Sequence, residues 1–206
     1  DKMSQESMFA LRTVTRPLRI LVVDGYAHVD RDVLRLSGVS VASDLYSNML
    51  QKFVPVELDL QKVFPADDPC TDIRLEEFDA VAWTGSNLTA YHTTDSRVTN
   101  QIKLQQRVFS SGLPSFGSCW GLQIATMASG GAVRANPRGR EMGIGRKIHV
   151  TPAGSAHPMF SAKGPVFDAL TSHNDEVCRL GAGSTILAGN SFSEVQALRI
   201  KYPQEG

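Results

Sequence analysis

Cys119 stands in the run Gly117-Ser118-Cys119-Trp120-Gly121. This Gly-x-Cys-x-Gly run lies between a short apolar stretch, Leu113 to Phe116, and a helical one, Leu122 to Ala128. It is the cysteine counterpart of a nucleophile elbow. A nucleophile on so tight a strand-to-helix turn takes a strained backbone, and the flanking glycines let strand and helix pass close together. The thiol then sits over a helix N-terminus, whose dipole favours the reactive thiolate. The N–H of Trp120 points the same way and can stabilise an oxyanion. The chemistry this suits is covalent catalysis by an activated cysteine. No motif surrounds Cys70, in a proline-rich loop, or Cys178, in a strand pattern, and both read as small buried hydrophobes.

The elements that must position Cys119 follow from the periodicity. Leu18 to Val23 is an apolar β-branched run closed by Asp24-Gly25, a strand reaching a loop. Val33 to Phe53 carries Val41, Leu45, Met49 and Leu50 at helical spacing. Val54, Val56, Leu58 and Leu60 alternate as a second strand, and Pro65 to Pro69 is a loop. Ala80 to Trp83 is a third strand, ending at Thr84-Gly85-Ser86-Asn87. In the next helix Val98, Ile102, Val108 and Phe109 suit the buried side. Gln101, Lys103, Gln105 and Gln106 fill the rest, and Ser111-Gly112 ends it. Strands alternating with helices predict an α/β fold with parallel pairing and helices on both faces of the sheet. Past Gly130-Gly131 the apolar runs are short: Ile148 to Val150, Val177-Cys178, Ile186 to Ala188 and Val195 to Ile200. They predict a mixed or antiparallel extension of the same domain. Asp1 to Arg16 read as an N-terminal extension or an expression remnant, leaving 17–206 as one domain.

Composition narrows the function. The 206 residues carry 21 Lys+Arg against 21 Asp+Glu, a net charge of +0. So balanced a chain has no general pull on phosphate, which argues against nucleic acid and anionic membranes as partners. No apolar run approaches the ~18 residues of a membrane span. Three widely spaced cysteines fit reduced thiols in a cytoplasm better than a disulfide framework or a metal site. No cofactor is expected, and no Gly-x-x-x-x-Gly-Lys-Ser/Thr run occurs.

Phe116-Gly-Ser-Cys-Trp-Gly-Leu-Gln123 resembles the Gly-x-Cys-x-Gly-x-Gln signature of class I (triad) glutamine amidotransferases, nearest to the branch of the GMP synthetase glutaminase domain. Val81-Ala-Trp-Thr-Gly-Ser-Asn87 looks like that family's oxyanion-strand loop. Gly139-Arg-Glu-Met-Gly143 resembles its Arg-Glu-x-Gly stretch, and Thr171-Ser-His-Asn-Asp-Glu-Val177 its Ser-His-x-Asp-x-Val segment. The resemblance implies a flavodoxin-like sheet and hydrolysis of the glutamine side-chain amide. Cys119 would form a γ-glutamyl thioester and release ammonia. The N–H groups of Trp120 and Ser86 would hold the oxyanion. Gly85, Gln123, Ser172, His173, Asn174 and Asp175 would bind L-glutamine or another γ-glutamyl compound. Glu141 reads as a structural partner of a backbone or basic group. A synthetase or other acceptor of ammonia is the implied partner. A γ-glutamyl hydrolase or peptidase using the same cysteine is the rival enzyme.

One departure stands out. The family completes its triad with a His-x-Glu pair after the last strand. Here Glu194 to Ile200 is followed by Lys201-Tyr-Pro-Gln-Glu-Gly206, and none of His149, His157 or His173 lies in that context, while His28 and His92 precede the elbow. Three explanations compete: a C-terminal fragment outside this chain completes the triad, another histidine (His173, which lies in the site segment) has taken over, or the protein is a non-catalytic glutamine-binding relative. The first is preferred, since Pro203 to Gly206 reads as a hairpin tip.

Overall fold

The computed structural model describes residues 16–201. Both the N-terminal extension (apart from Arg16) and the hairpin tip at Pro203 to Gly206 lie outside the described residues. Four parallel strands form the first sheet in the order β2-β1-β3-β4: β1 (Leu18–Val23), β2 (Leu58–Val63), β3 (Ala80–Trp83) and β4 (Ser115–Gly117). Alternate side chains of β1 serve opposite faces. Leu21 and Val23 pack with Val81, Trp83, Val98, Leu104, Val108 and Ile124, drawn from β3, α3 (Ser96–Ser111) and α4 (Trp120–Ala128). Ile20 and Val22 pack with Ala82, Tyr46 and Leu50 on the side of α2 (Ala42–Phe53). The sheet is therefore covered on both faces, as the run of buried β-branched residues requires.

Several boundaries differ from the periodicity. The helix expected over Val33 to Phe53 is two, α1 (His28–Leu36) and α2, broken at Gly38, whose φ of 72° ends α1. Val41 is the N-cap of α2, and Leu45 and Met49 face solvent. Tyr46 and Leu50 meet the sheet instead, beside the small buried Ser43 and Ser47. Residues 54–57 lead into β2 rather than forming part of it. On α3 the two glutamines expected at the surface, Gln101 and Gln105, are buried. Gly112, with φ 73°, ends that helix as expected.

Past Gly131 the antiparallel expectation holds, with more strand than the apolar runs suggest. A second sheet has the order β10-β9-β6-β7: β6 (Glu141–Val150), β7 (Val166–His173), β9 (Ser184–Gly189) and β10 (Ala197–Ile200). A two-stranded ribbon pairs β5 (Ala132–Ala135) with β8 (Asp175–Arg179). Val133, Val177 and Val195 join the core that Trp83 and Ile124 share with the parallel sheet.

Candidate active site

The elbow forms where β4 meets α4. Cys119 is the N-cap of α4, with φ 51° and ψ −100°. A non-glycine residue there is strained and persists only where its surroundings fix it. The fixing is visible. A Cβ on Gly117 would lie 2.8 Å from Gly121 Cα, and one on Gly121 would lie 2.8 Å from Trp83 Cβ. Both glycines are thus contact points between strand and helix. The adjoining Ser118 hydroxyl makes a short hydrogen bond with the Tyr46 hydroxyl of α2.

Cys119 opens on a cavity of about 690 Å³. Of the residues expected at the site, Gly85, Ser86, Gln123, Ser172, His173, Asn174 and Asp175 line this cavity with it. Trp120 is the exception: its ring is buried behind the wall, and only its backbone faces the thiol. The cavity also takes in Tyr26, Tyr91 and Arg140, which composition and spacing do not single out as site residues. Arg140 is legible only as part of the Arg-Glu-x-Gly stretch.

The loop after β3 is held from both sides. Ser86 Oγ donates to the Gly25 carbonyl at 2.8 Å and accepts from Leu88 N–H at 3.1 Å. Thr84 Oγ1 accepts from Gly25 N–H at 3.0 Å. The segment Ser172 to Asp175 is the junction of β7 and β8, with Asn174 between them. Its Ser172 carbonyl lies 3.7 Å from the Cys119 Sγ, and Arg140 donates to Ser172 Oγ at 3.1 Å.

His173 is hydrogen-bonded at both ring nitrogens. Its Nδ1 is 2.9 Å from the Asp175 carbonyl and its Nε2 is 2.8 Å from Glu141 Oε2. Both nitrogens are engaged away from the thiol. Glu141 is buried, and its carboxylate also accepts from Asn190 Nδ2 at 2.7 Å and Gln196 Nε2 at 2.6 Å. Its side-chain partners are an imidazole and two amides rather than backbone.

Cys119 is exposed at the cavity mouth, yet desolvation by the protein crowded around its sulfur pushes the thiol above its ordinary value and the nearby Asp175 carboxylate adds to this, while the Trp120 N–H pulls it back. The net direction is upward, opposite to what the helix terminus alone would give. Among the described residues no histidine acts on this thiol. Burial also raises the Asp175 carboxyl, opposed by the Tyr91 hydroxyl at 3.4 Å and by the nearby His173 and His92.

The other cysteines depart from the buried reading: Cys70 is half-buried with φ 56°, and Cys178 is exposed. Among the described residues no cluster of three His, Cys, Asp or Glu could hold a metal, and no helix is long and apolar enough to cross a membrane.

Comparison with known proteins gives the same family as the motifs. Residues 41–203 match the model of the class I glutamine amidotransferases. A gamma-glutamyl-L-1-hydroxyisopropylamide hydrolase of Pseudomonas sp is 33% identical over 189 residues, which are 90% of this chain and 63% of that enzyme. A glutamine-hydrolyzing GMP synthase of Chlorobium chlorochromatii is 30% identical over 136 residues, 66% of this chain and 25% of that enzyme. This chain thus spans less than two thirds of the length of these two relatives. The crystal structure of a glutamine amidotransferase of Thermotoga maritima superposes with a TM-score of 0.62 at 16% identity, covering 91% of this chain and 76% of that one. The flavodoxin-like fold, the elbow and the family match agree, and the chain belongs to the class I glutamine amidotransferase family.

Proposed function

We propose that Cys119 is the nucleophile of a glutamine amidotransferase, acting on the γ-amide of glutamine and supplying ammonia to a synthetase or other acceptor. The carrying observation is the strained elbow that aims Cys119 into the cavity shared by Gln123 and Ser172 to Asp175. The thiolate attacks the amide carbon. The resulting oxyanion is held by the N–H groups of Trp120 and Ser86, a donor of this kind being worth ~3 kcal/mol. The intermediate collapses to a γ-glutamyl thioester, and ammonia leaves with a proton from the general acid. Water then attacks the thioester, giving glutamate and the free thiol.

Asp175 receives the substrate's α-ammonium. Arg140 and Gln123 receive its α-carboxylate, with Gly85 and the backbone of Ser172, His173 and Asn174 completing the contacts. The neutral chain suits a small zwitterion held by such local contacts. The raised thiol and the two occupied nitrogens of His173 support a base supplied from outside the described residues. The opening between Gly117, Ser118, Leu198 and Ile200, which also reaches Cys119, gives it a way in. Three free cysteines support a cytoplasmic setting.

A second reading is hydrolysis of N-substituted γ-glutamyl amides by the same cysteine. The 33% identity to a hydrolase of such a compound favours it. Ammonia release from glutamine, compared with amine release from γ-glutamyl alkylamides, separates the two. The Cys119→Ala variant loses both; turnover surviving that substitution contradicts either reading.

A further inference from the structure

Gln101 lies mid-way along α3 and is 0% exposed, an unusual place for a side-chain amide. All its principal hydrogen-bonding capacity is used. Nε2 donates to the Gly25 carbonyl at 3.1 Å and to the Arg97 carbonyl one turn back at 3.0 Å. Oε1 accepts from the Trp120 indole N–H at 2.6 Å.

The Gly25 carbonyl takes a second donor, the Ser86 hydroxyl. One buried amide therefore joins the Trp120 ring to the oxygen that anchors Ser86. Gly25 is itself wedged between them. A Cβ there would fall 2.6 Å from Trp120 Cδ1, 2.8 Å from the Gly85 carbonyl oxygen and 2.9 Å from Ser86 Cβ. The two residues follow the ends of the paired strands β4 and β3, whose register sets Trp83 beside Gly117. The bridge adds a second tie beyond the strand ends, between the Trp120 ring and the loop that carries Ser86, and it is mounted on a long helix whose buried face packs into the core.

We propose that Gln101 is a positioning residue for the oxyanion site: through Trp120 and the Gly25 carbonyl it sets the spacing between the N–H groups of Trp120 and Ser86. This rests on the role given to those two N–H groups above. Their donation matters only if both converge on one oxygen, and a misplacement of about 1 Å can cost about a hundredfold in rate. Neither Gln101 nor the indole N–H touches the substrate.

The test measures kcat and KM for glutamine, or for the γ-glutamyl amide turned over best, in the full-length protein. The variants are Gln101→Met, Trp120→Phe and the pair together. Each single change removes the indole–amide bond without removing either backbone N–H group. The expected result is a fall in kcat of about tenfold or more with KM within about twofold, because a misplaced oxyanion donor is felt in the transition state. The double variant falls no further than the worse single one, because both break one bridge. Independent, multiplying losses in the double variant overturn the proposal, as does a loss confined to KM. Should Gln101→Met fail to fold, Trp120→Phe decides alone: a folded variant with unchanged kcat overturns it. Failure of the underlying nucleophile assignment shows separately, as turnover that survives Cys119→Ala.

Discussion

Gly117 and Gly121 approach so closely that a Cβ on the first would stand 2.8 Å from the Cα of the second. The contact is backbone to backbone, so no side chain can swing aside to relieve it. Gly117→Ala must therefore push α4 away from β4, at a cost of about 1–3 kcal/mol. The strained Cys119 between them loses its setting as well. Urea denaturation should show the loss of stability, and the reactivity of Cys119 toward a glutamine analogue should fall further than the stability does.

The Glu141 carboxylate gathers His173 from the end of β7 and Asn190 and Gln196 from the β9–β10 connection, with its own side chain only 8% exposed. Glu141→Ala leaves all three polar groups without that acceptor. Leaving a buried hydrogen-bonding group without its partner costs about 1–3 kcal/mol. Glu141→Gln keeps an oxygen and a nitrogen for these partners and should cost clearly less. Thermal unfolding of the two variants side by side checks the order.

The sign of the thiol's response to pH follows from its neighbours. The surrounding protein and the Asp175 charge both disfavour the thiolate and push the Cys119 thiol upward. Asp175→Asn removes one of the two causes and lowers the midpoint. Iodoacetamide alkylation of Cys119 followed against pH should show the profile moving to lower pH in Asp175→Asn; a move to higher pH contradicts the arrangement.

Arg140 faces the cavity and donates to Ser172 Oγ. If it also receives the substrate's α-carboxylate, Arg140→Ala raises KM about tenfold or more, because charge-assisted hydrogen bonds are the stronger ones. Its effect on kcat should be smaller. Steady-state kinetics on glutamine and on its decarboxylated analogue 4-aminobutanamide check this, since the penalty should vanish for the analogue lacking the carboxylate.

The sequence disclosed what depends on short-range pattern. Glycines at 117 and 121 around Cys119 announce a crowded turn, and the β-branched run at Leu18 to Val23 announces a buried strand. Hidden were features decided by distant partners. Gln101 looks like surface filling on a helix until Trp120 and Gly25 are brought to it from other strand ends. Leu45 and Met49 have core-like side chains, yet Tyr46 and Leu50 are the ones that reach the sheet. Most of β6 escapes notice because Gly143, Gly145 and Arg146 interrupt any apolar alternation; pairing with β7 holds it in place instead. His173 is visible as a site residue, but only its contact with Glu141 shows that its nitrogens are already taken.

Treatment of the full-length protein with 6-diazo-5-oxo-norleucine, followed by peptide mass spectrometry, decides whether Cys119 is the nucleophile of a glutamine site. The expected result is stoichiometric labelling at Cys119, protection by glutamine or a γ-glutamyl amide, and none at Cys70 or Cys178. A folded protein left unlabelled at Cys119, or labelled equally at all three cysteines, would contradict it.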